Sequence, residues 1–398
     1  MSSIPLTITA IESDLGKVVD PEDSTILMGS DDLSQCLKYP LYESSLLYWL
    51  LTVWHKLPST GSFRFLADTE QRILQECMGS LPEQILALLP SGKLSGVSRK
   101  GAAEFRDRYF ATNRNWPDLA VSDRSWIVCA DGYPGGLPVQ LYHDPVKQEI
   151  ATWEEFRTSA NALLTSVVKS DRIRGLVSER LDLLSAILYE LFKNTHQHAR
   201  RWINGEHLPS SMRGLYARFY PVSDLLNDRS IEAADPIHLY VRQILAPGRV
   251  GKREGHKVDS NLDGLIELSA FDAGPGLAQR WLKRETAEDA PDTEYRALLE
   301  CFGKGKSSAS DPTRGYGLWK VLALLRHLHG FLRVRTNHIH VYREFSGLPD
   351  FRVRTLSDGQ PVPEEVLLDW QRGMTSAVTK NAEVRGAVIT ILVPLGKA

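Results

Sequence analysis

Glu190-Leu191-Phe192-Lys193-Asn194-Thr195-His196-Gln197-His198-Ala199 is the stretch on which the reading of this chain turns. It lies in a segment, Leu176 to about Trp202, where Leu184, Ile187, Leu188 and Leu191 recur at i, i+3, i+4 and i+7. That spacing predicts a long amphipathic helix. Glu190, Asn194 and His198 then fall four residues apart and form one polar stripe beside the apolar one. A carboxylate can activate a water, an amide oxygen can ligate Mg2+, and an imidazole can contact a phosphate. A solvated helix face has the same spacing, so the stripe alone leaves both readings open.

Two later segments carry related chemistry. Leu265–Phe271 predicts an apolar strand that ends in Asp272-Ala273-Gly274-Pro275-Gly276. Alternate glycines there make a tight turn that lets a ligand approach the backbone. The Asp272 carboxylate can accept a hydrogen bond from an exocyclic amine such as that of adenine; an ordinary Asp-Gly turn has the same residues. Further on come Phe302-Gly303-Lys304-Gly305-Lys306-Ser307-Ser308 and Arg314-Gly315-Tyr316-Gly317-Leu318, the latter opening a helix to about His329. A helix N-terminus offers free N–H groups to phosphates, and Lys304, Lys306 and Arg314 add positive charge. Gly305-Lys306-Ser307 is not a P-loop, because the position that needs the first glycine is Glu300. Taken alone, the segment also reads as a basic surface loop.

In order and spacing, an E-x-x-x-N helix, a D-x-G-x-G turn and a G-x-G-L helix start resemble the GHKL ATPase superfamily of gyrase B, MutL, heat-shock chaperones and histidine kinases. Glu190 to Ala199 resembles its N box, Asp272 to Gly276 its G1 box, and Phe302 to Ser308 with Arg314 to Leu318 its lid and G2 box, closest to the kinases. Leu328-His329-Gly330 before a strand, and a closing strand over Gly386 to Pro394, fit the same pattern. The resemblance covers about residues 170–396 and implies a two-layer α/β sandwich of the Bergerat type, a mixed sheet with helices on one face. It also implies ATP and Mg2+ as cofactors. Asp272 would hold the adenine amine, with Gly274, Gly276 and Leu277 shaping the pocket. Asn194 would ligate the metal, and Glu190 would act on the attacking water. His198, Lys304, Gly305, Lys306, Ser307, Arg314, Gly315, Tyr316, Gly317 and Leu318 would line the phosphates. The last strand departs from the pattern: it begins Gly386-Ala387, without the usual threonine.

Composition bounds the remainder. The chain has 398 residues, 47 Lys+Arg against 49 Asp+Glu and a net charge of -2, which excludes a generally cationic nucleic-acid binder. No apolar run approaches the ~18–20 residues of a membrane span, and the start lacks a signal-peptide pattern, so a cytoplasmic protein is expected. Four scattered cysteines argue against a zinc site or disulfide framework. Residues 1–150 read as a separate α/β unit of unassigned role, with a strand at Pro5–Ile11 and helices near Leu41–Trp54 and Asp68–Leu89. Residues 151–398 read as the ATPase unit, with a helix at Glu154–Val168, strands at Leu215–Val222 and His238–Leu245, and a loop at Glu285–Glu294. The basic loop Arg249 to Lys257 allows contact with nucleic acid, though a solvated loop is the expected reading. The stretch Glu154 to Glu190 contains no histidine, so the usual histidine autophosphorylation is not expected. Three functions remain open: an ATP-gated switch acting on a protein partner or homodimer, a kinase for a separate protein, and a nucleotide-binding module with little turnover.

Overall fold

Strand residues alternate sharply between two environments, and that alternation organises the molecule. The computed structural model describes residues 2–3, 5, 7–16, 25–28, 39–58, 60–89, 93–112, 123–208, 211–226, 235–245, 262–303, 317–346, 353–355, 361–363, 367–373 and 377–396. Among these, seven strands form one sheet: β1 (Arg124–Ala130), β2 (Met212–Pro221), β3 (Leu262–Asp272), β4 (Phe331–Asn337), β5 (Ile339–Glu344), β6 (Leu368–Asp369) and β7 (Val384–Gly396). Their order is β6-β5-β4-β7-β3-β2-β1, and every neighbouring pair runs antiparallel. The expected mixed sheet is therefore corrected to an antiparallel one within an α+β class. β4 and β5 are joined by a tight link, whereas β3 and β4, both antiparallel to the β7 between them, run parallel to each other, so the chain from β3 to β4, which carries helices Leu277–Leu282, Pro291–Cys301 and Gly317–His327, makes a crossover.

In β3, Ile266, Leu268 and Ala270 face one apolar cluster, while Leu265, Glu267 and Phe271 face the other side. The first face is covered by helices Trp153–Ser166, Leu181–His198 and Gly317–His327, through Leu163, Leu184, Leu188, Leu322 and Leu325. The second face is also covered, contrary to the expected single helical layer. Helix Tyr42–Lys56 packs Leu46, Trp49 and Leu50 against Trp126, Tyr216, Phe271 and Val388. Helix Pro236–Leu245 covers Tyr220, Leu265, Phe331 and Leu392. A sheet with apolar side chains on both sides must be covered on both, which makes three layers.

The second face is also heavily charged. Buried Glu267 accepts from the Leu41 N–H, the Ser44 hydroxyl and the Tyr220 hydroxyl, each at 2.8 Å. Buried Arg333 donates to Ser44 Oγ at 2.8 Å and to Ser45 Oγ. Arg335 holds Glu12 through two contacts of 3.0 Å. Glu43 receives Arg124 at 3.1 Å, the Tyr216 hydroxyl at 2.8 Å and the Leu81 N–H at 2.9 Å. Each charge meets a partner, as burial in a low-dielectric layer requires.

Several local expectations are corrected. Pro5–Ile11 is not a strand: Thr7 caps a helix Ile8–Leu15, accepting from Ala10 N at 3.0 Å, and Ile8, Ile11 and Leu15 are its buried stripe. His238–Leu245 belongs to helix Pro236–Leu245, whose Ile237, Tyr240, Val241 and Ile244 keep the 3.6 period. Asp68–Leu89 divides into Glu70–Glu76 and Leu81–Leu88, the second capped by Ser80. Leu176–Trp202 divides at Arg180 into Asp171–Glu179 and Leu181–His198. The segment expected as a loop at Glu285–Glu294 runs into helix Pro291–Cys301, opened by its proline. Strand β1, from the first 150 residues, is the edge of the main sheet. No helix among the described residues is long and apolar enough to cross a membrane.

Candidate functional site

Helix Leu181–His198 lays its buried stripe of Leu184, Ile187, Leu188, Leu191 and Thr195 on the sheet. That leaves Glu190, Asn194 and His198 half-buried at the edge of the stripe. The Glu190 side chain is 13% exposed, and Lys320 Nζ lies 3.3 Å from its Oε1. Gly317, the first residue of helix Gly317–His327, is so close that an added Cβ would stand 3.0 Å from Glu190 Oε2. Leu318 is buried in the core below. The Asn194 amide is half-buried and makes no hydrogen bond among the described residues.

The turn after β3 meets the other end of the same helix. A Cβ on Gly274 would lie 2.7 Å from Ala199 Cα and 3.0 Å from the Ala199 carbonyl oxygen, so only glycine permits this approach. Gly276 has φ +85 and abuts the Asn337 amide. Asn337, itself at φ 46, donates to the Pro275 carbonyl at 2.8 Å and accepts from Ala278 N at 3.2 Å. Thr336 Oγ1 accepts from Leu277 N at 2.9 Å and donates to the Gly386 carbonyl at 3.0 Å. The first two N–H groups of helix Leu277–Leu282 are thus already capped, and the Leu277 side chain is in the core.

Asp272 ends β3 on the face that carries helix Leu181–His198, by the two-residue alternation from Ala270. Register aligns it in one row with Arg213 on β2, Ala387 on β7 and Thr336 on β4. Its Oδ1 accepts from Gly274 N at 2.9 Å. Arg213, fully buried, grips Asp131 with both terminal nitrogens and donates to the Tyr142 hydroxyl. Tyr142 in turn lies 3.1 Å from His196 Nδ1. Burial, with the Arg213 and Arg200 charges nearby, pulls the His196 imidazole from 6.5 down to about 3, so it is neutral at pH 7.

Burial pushes the Asp272 carboxyl from 3.8 up to about 6, against the Gly274 and Ala387 N–H groups and the Arg213 and Arg385 charges. The folded form keeps this proton to higher pH than the unfolded chain does. Ionising Asp272 therefore lowers stability as pH rises from about 4 to above 6. About two pH units at ~1.36 kcal/mol each make that cost about 3 kcal/mol. In urea titrations, Asp272→Asn is expected to lose about 3 kcal/mol less than the parent between about pH 4 and pH 7. Equal pH dependence in the two proteins would contradict a buried, ionised carboxyl.

The structure thus brings Glu190 beside Gly317, and Gly274 against the end of the helix that bears Asn194 and His198. Lys304, Gly305, Lys306, Ser307, Arg314, Gly315 and Tyr316 lie outside the described residues, as does the loop Arg249 to Lys257. Sequence reasoning missed Lys320, Arg213, Thr336 and Asn337. Lys320 is legible afterwards as one turn on from Gly317; the others depend on strand register. Among the described residues no cluster of three or more His, Cys, Asp and Glu is set to hold a metal. No family model matches this chain, and neither a curated protein nor a solved structure matches it.

Proposed function

We propose that this chain binds ATP with Mg2+ in the manner of the GHKL superfamily and hydrolyses it as an ATP-gated switch for a protein partner or a second copy. One observation carries the reading. Two segments far apart in sequence meet on one helix and its C-cap: Gly317 against Glu190, and Gly274 against Ala199. An unrelated surface stripe, an incidental turn and an incidental loop have no reason to converge. The face covered by helices Trp153–Ser166, Leu181–His198 and Gly317–His327 fits a Bergerat-type sandwich, to whose other face helices Tyr42–Lys56 and Pro236–Leu245 have been added.

The residues fit the absent groups. The Asn194 amide, which makes no hydrogen bond among the described residues, suits a Mg2+ that takes most of its ligands from phosphates and water. When bound, Mg·ATP supplies the phosphoryl group to be transferred. Glu190 would orient a water and accept its proton, with Lys320 steadying the carboxylate. Asp272, ionised above about pH 6, would accept from the adenine amine. Arg213 would hold the row beneath it through Asp131 and Tyr142.

Calorimetry with Mg·ATP and Mg·GTP tests this directly. ATP is expected to bind at least about tenfold more tightly, because guanine presents a carbonyl where adenine presents an amine. With γ-labelled ATP, label is expected in free phosphate. Absence of Mg·ATP binding at millimolar concentration, or equal affinity for the two nucleotides, would overturn the reading.

A further inference from the structure

Behind the Asp272 turn, at the seam between the sheet and helix Tyr42–Lys56, lies a cleft of about 270 Å3. Its walls are Thr52, His55 and Lys56 from that helix, Trp202, Pro275 and Gln279 around the turn, Glu285 and Ala287, and the strand entry Glu383 to Gly386. It contains neither Glu190 nor Asn194. Its volume is below the ~300 Å3 at which pockets for drug-sized ligands begin, which suits a small metabolite.

Two cations of the cleft, Arg385 and Lys56, feel the Glu383 charge but form no close ion pair among the described residues. The Arg385 guanidinium carbon lies over the Trp202 indole, 4.5 Å from the ring centre, and its Nε donates to the Ala273 carbonyl at 3.1 Å. Among the described residues its two terminal nitrogens make no hydrogen bond, and neither does the Lys56 ammonium. A guanidinium can grip a carboxylate through its two terminal nitrogens with two parallel hydrogen bonds. Two carboxylates share the cleft: Glu383, which accepts from Gln279 Nε2 at 2.8 Å, and exposed Glu285. His55 adds a neutral imidazole, because burial, with Arg385 and Lys93 nearby, pulls it down to about 4.

A simple anion would leave the carboxylates facing its charge, and a simple cation would leave the arginine and lysine facing its own. A ligand that carries both signs satisfies both sets. Trp202, Pro275, Val384 and Ala287 supply apolar wall for a side chain. We propose that this cleft is a binding site for a small zwitterion of the α-amino-acid class with an apolar side chain. Its carboxylate sits on Arg385 and Lys56, and its ammonium on Glu285 and Glu383.

The test uses the full chain without nucleotide, so its outcome is independent of the ATP reading. L-Phenylalanine is titrated by calorimetry beside 3-phenylpropionate, which lacks the ammonium, and phenethylamine, which lacks the carboxylate. Phenylalanine is expected to bind, and each half-ligand at least about tenfold more weakly, the loss of one charge-assisted hydrogen bond. Arg385→Gln and the exposed Lys56→Gln are each expected to weaken phenylalanine by about tenfold, while Glu190→Ala leaves it unchanged. Lys56→Gln keeps the test valid should Arg385→Gln fold poorly. No heat with phenylalanine at 10 mM (roughly the weakest affinity of interest), equal binding of 3-phenylpropionate, or unaltered affinity in both variants would overturn the proposal.

Discussion

Glu267→Ala is expected to cost about 3–5 kcal/mol of unfolding free energy, the penalty for leaving a buried charge without its partner. Glu267 is fully buried and accepts from Leu41 N, Ser44 Oγ and Tyr220 OH. Burial pushes its carboxyl upward, opposed by those donors and by the Arg333 charge. Removing it leaves three donors unmatched and takes from Arg333 one of the two carboxylates, with Glu12, that offset its charge between the sheet and helix Tyr42–Lys56. Glu267→Gln keeps an acceptor and is expected to cost less than half as much. The pair Glu267→Leu with Arg333→Met removes both charges, which meet through the Ser44 hydroxyl, and is expected to recover part of the loss, the charged part, while the Leu41 and Tyr220 donors stay unmatched. Urea titrations of the three variants decide it. A loss under about 1 kcal/mol in Glu267→Ala would show that water reaches this layer.

Glu190→Ala is expected to lower phosphate release by about 10²–10⁴-fold while ATP affinity holds, the usual contribution of a positioned general base. Asn194→Ala is expected to do the reverse in part: the Mg2+-dependent increment of ATP binding disappears, because its amide oxygen is the ligand assigned to the ion. Calorimetry with and without Mg2+, together with single-turnover phosphate release, separates the two. Undiminished turnover in Glu190→Ala would assign the proton to another group, and unchanged Mg2+ dependence in Asn194→Ala would move the ion elsewhere.

The part of the fold that local chemistry specifies was legible. Leu184, Ile187, Leu188 and Leu191 announce their helix because the i, i+3, i+4, i+7 stripe is a property of adjacent turns. Asp272 ends its strand as expected, because the glycines after it are read locally. The second layer was not legible, although helix Tyr42–Lys56 was anticipated near Leu41–Trp54. What it covers depends on pairs such as Glu43 with Tyr216, which are 173 residues apart. The row Arg213, Asp272, Ala387, Thr336 depends on register across four strands, which no local window contains. His238–Leu245 misled because β-branched and aromatic residues suited a strand, while Pro236 and the burial of Ile237, Tyr240, Val241 and Ile244 favoured a helix. At the site, the meeting of Gly317 with Glu190 was anticipated only through the resemblance.

β7 comes last of the seven strands in sequence order, yet it occupies the middle of the sheet, flanked by β3 and β4. Without it, β1 to β3 and β4 to β6 are two half-sheets, each with a raw edge. Insertion of Val384–Gly396 zips them together, a closure dominated by contacts distant in sequence and therefore slow. Until that strand is in place, both edges are open to pairing with other chains.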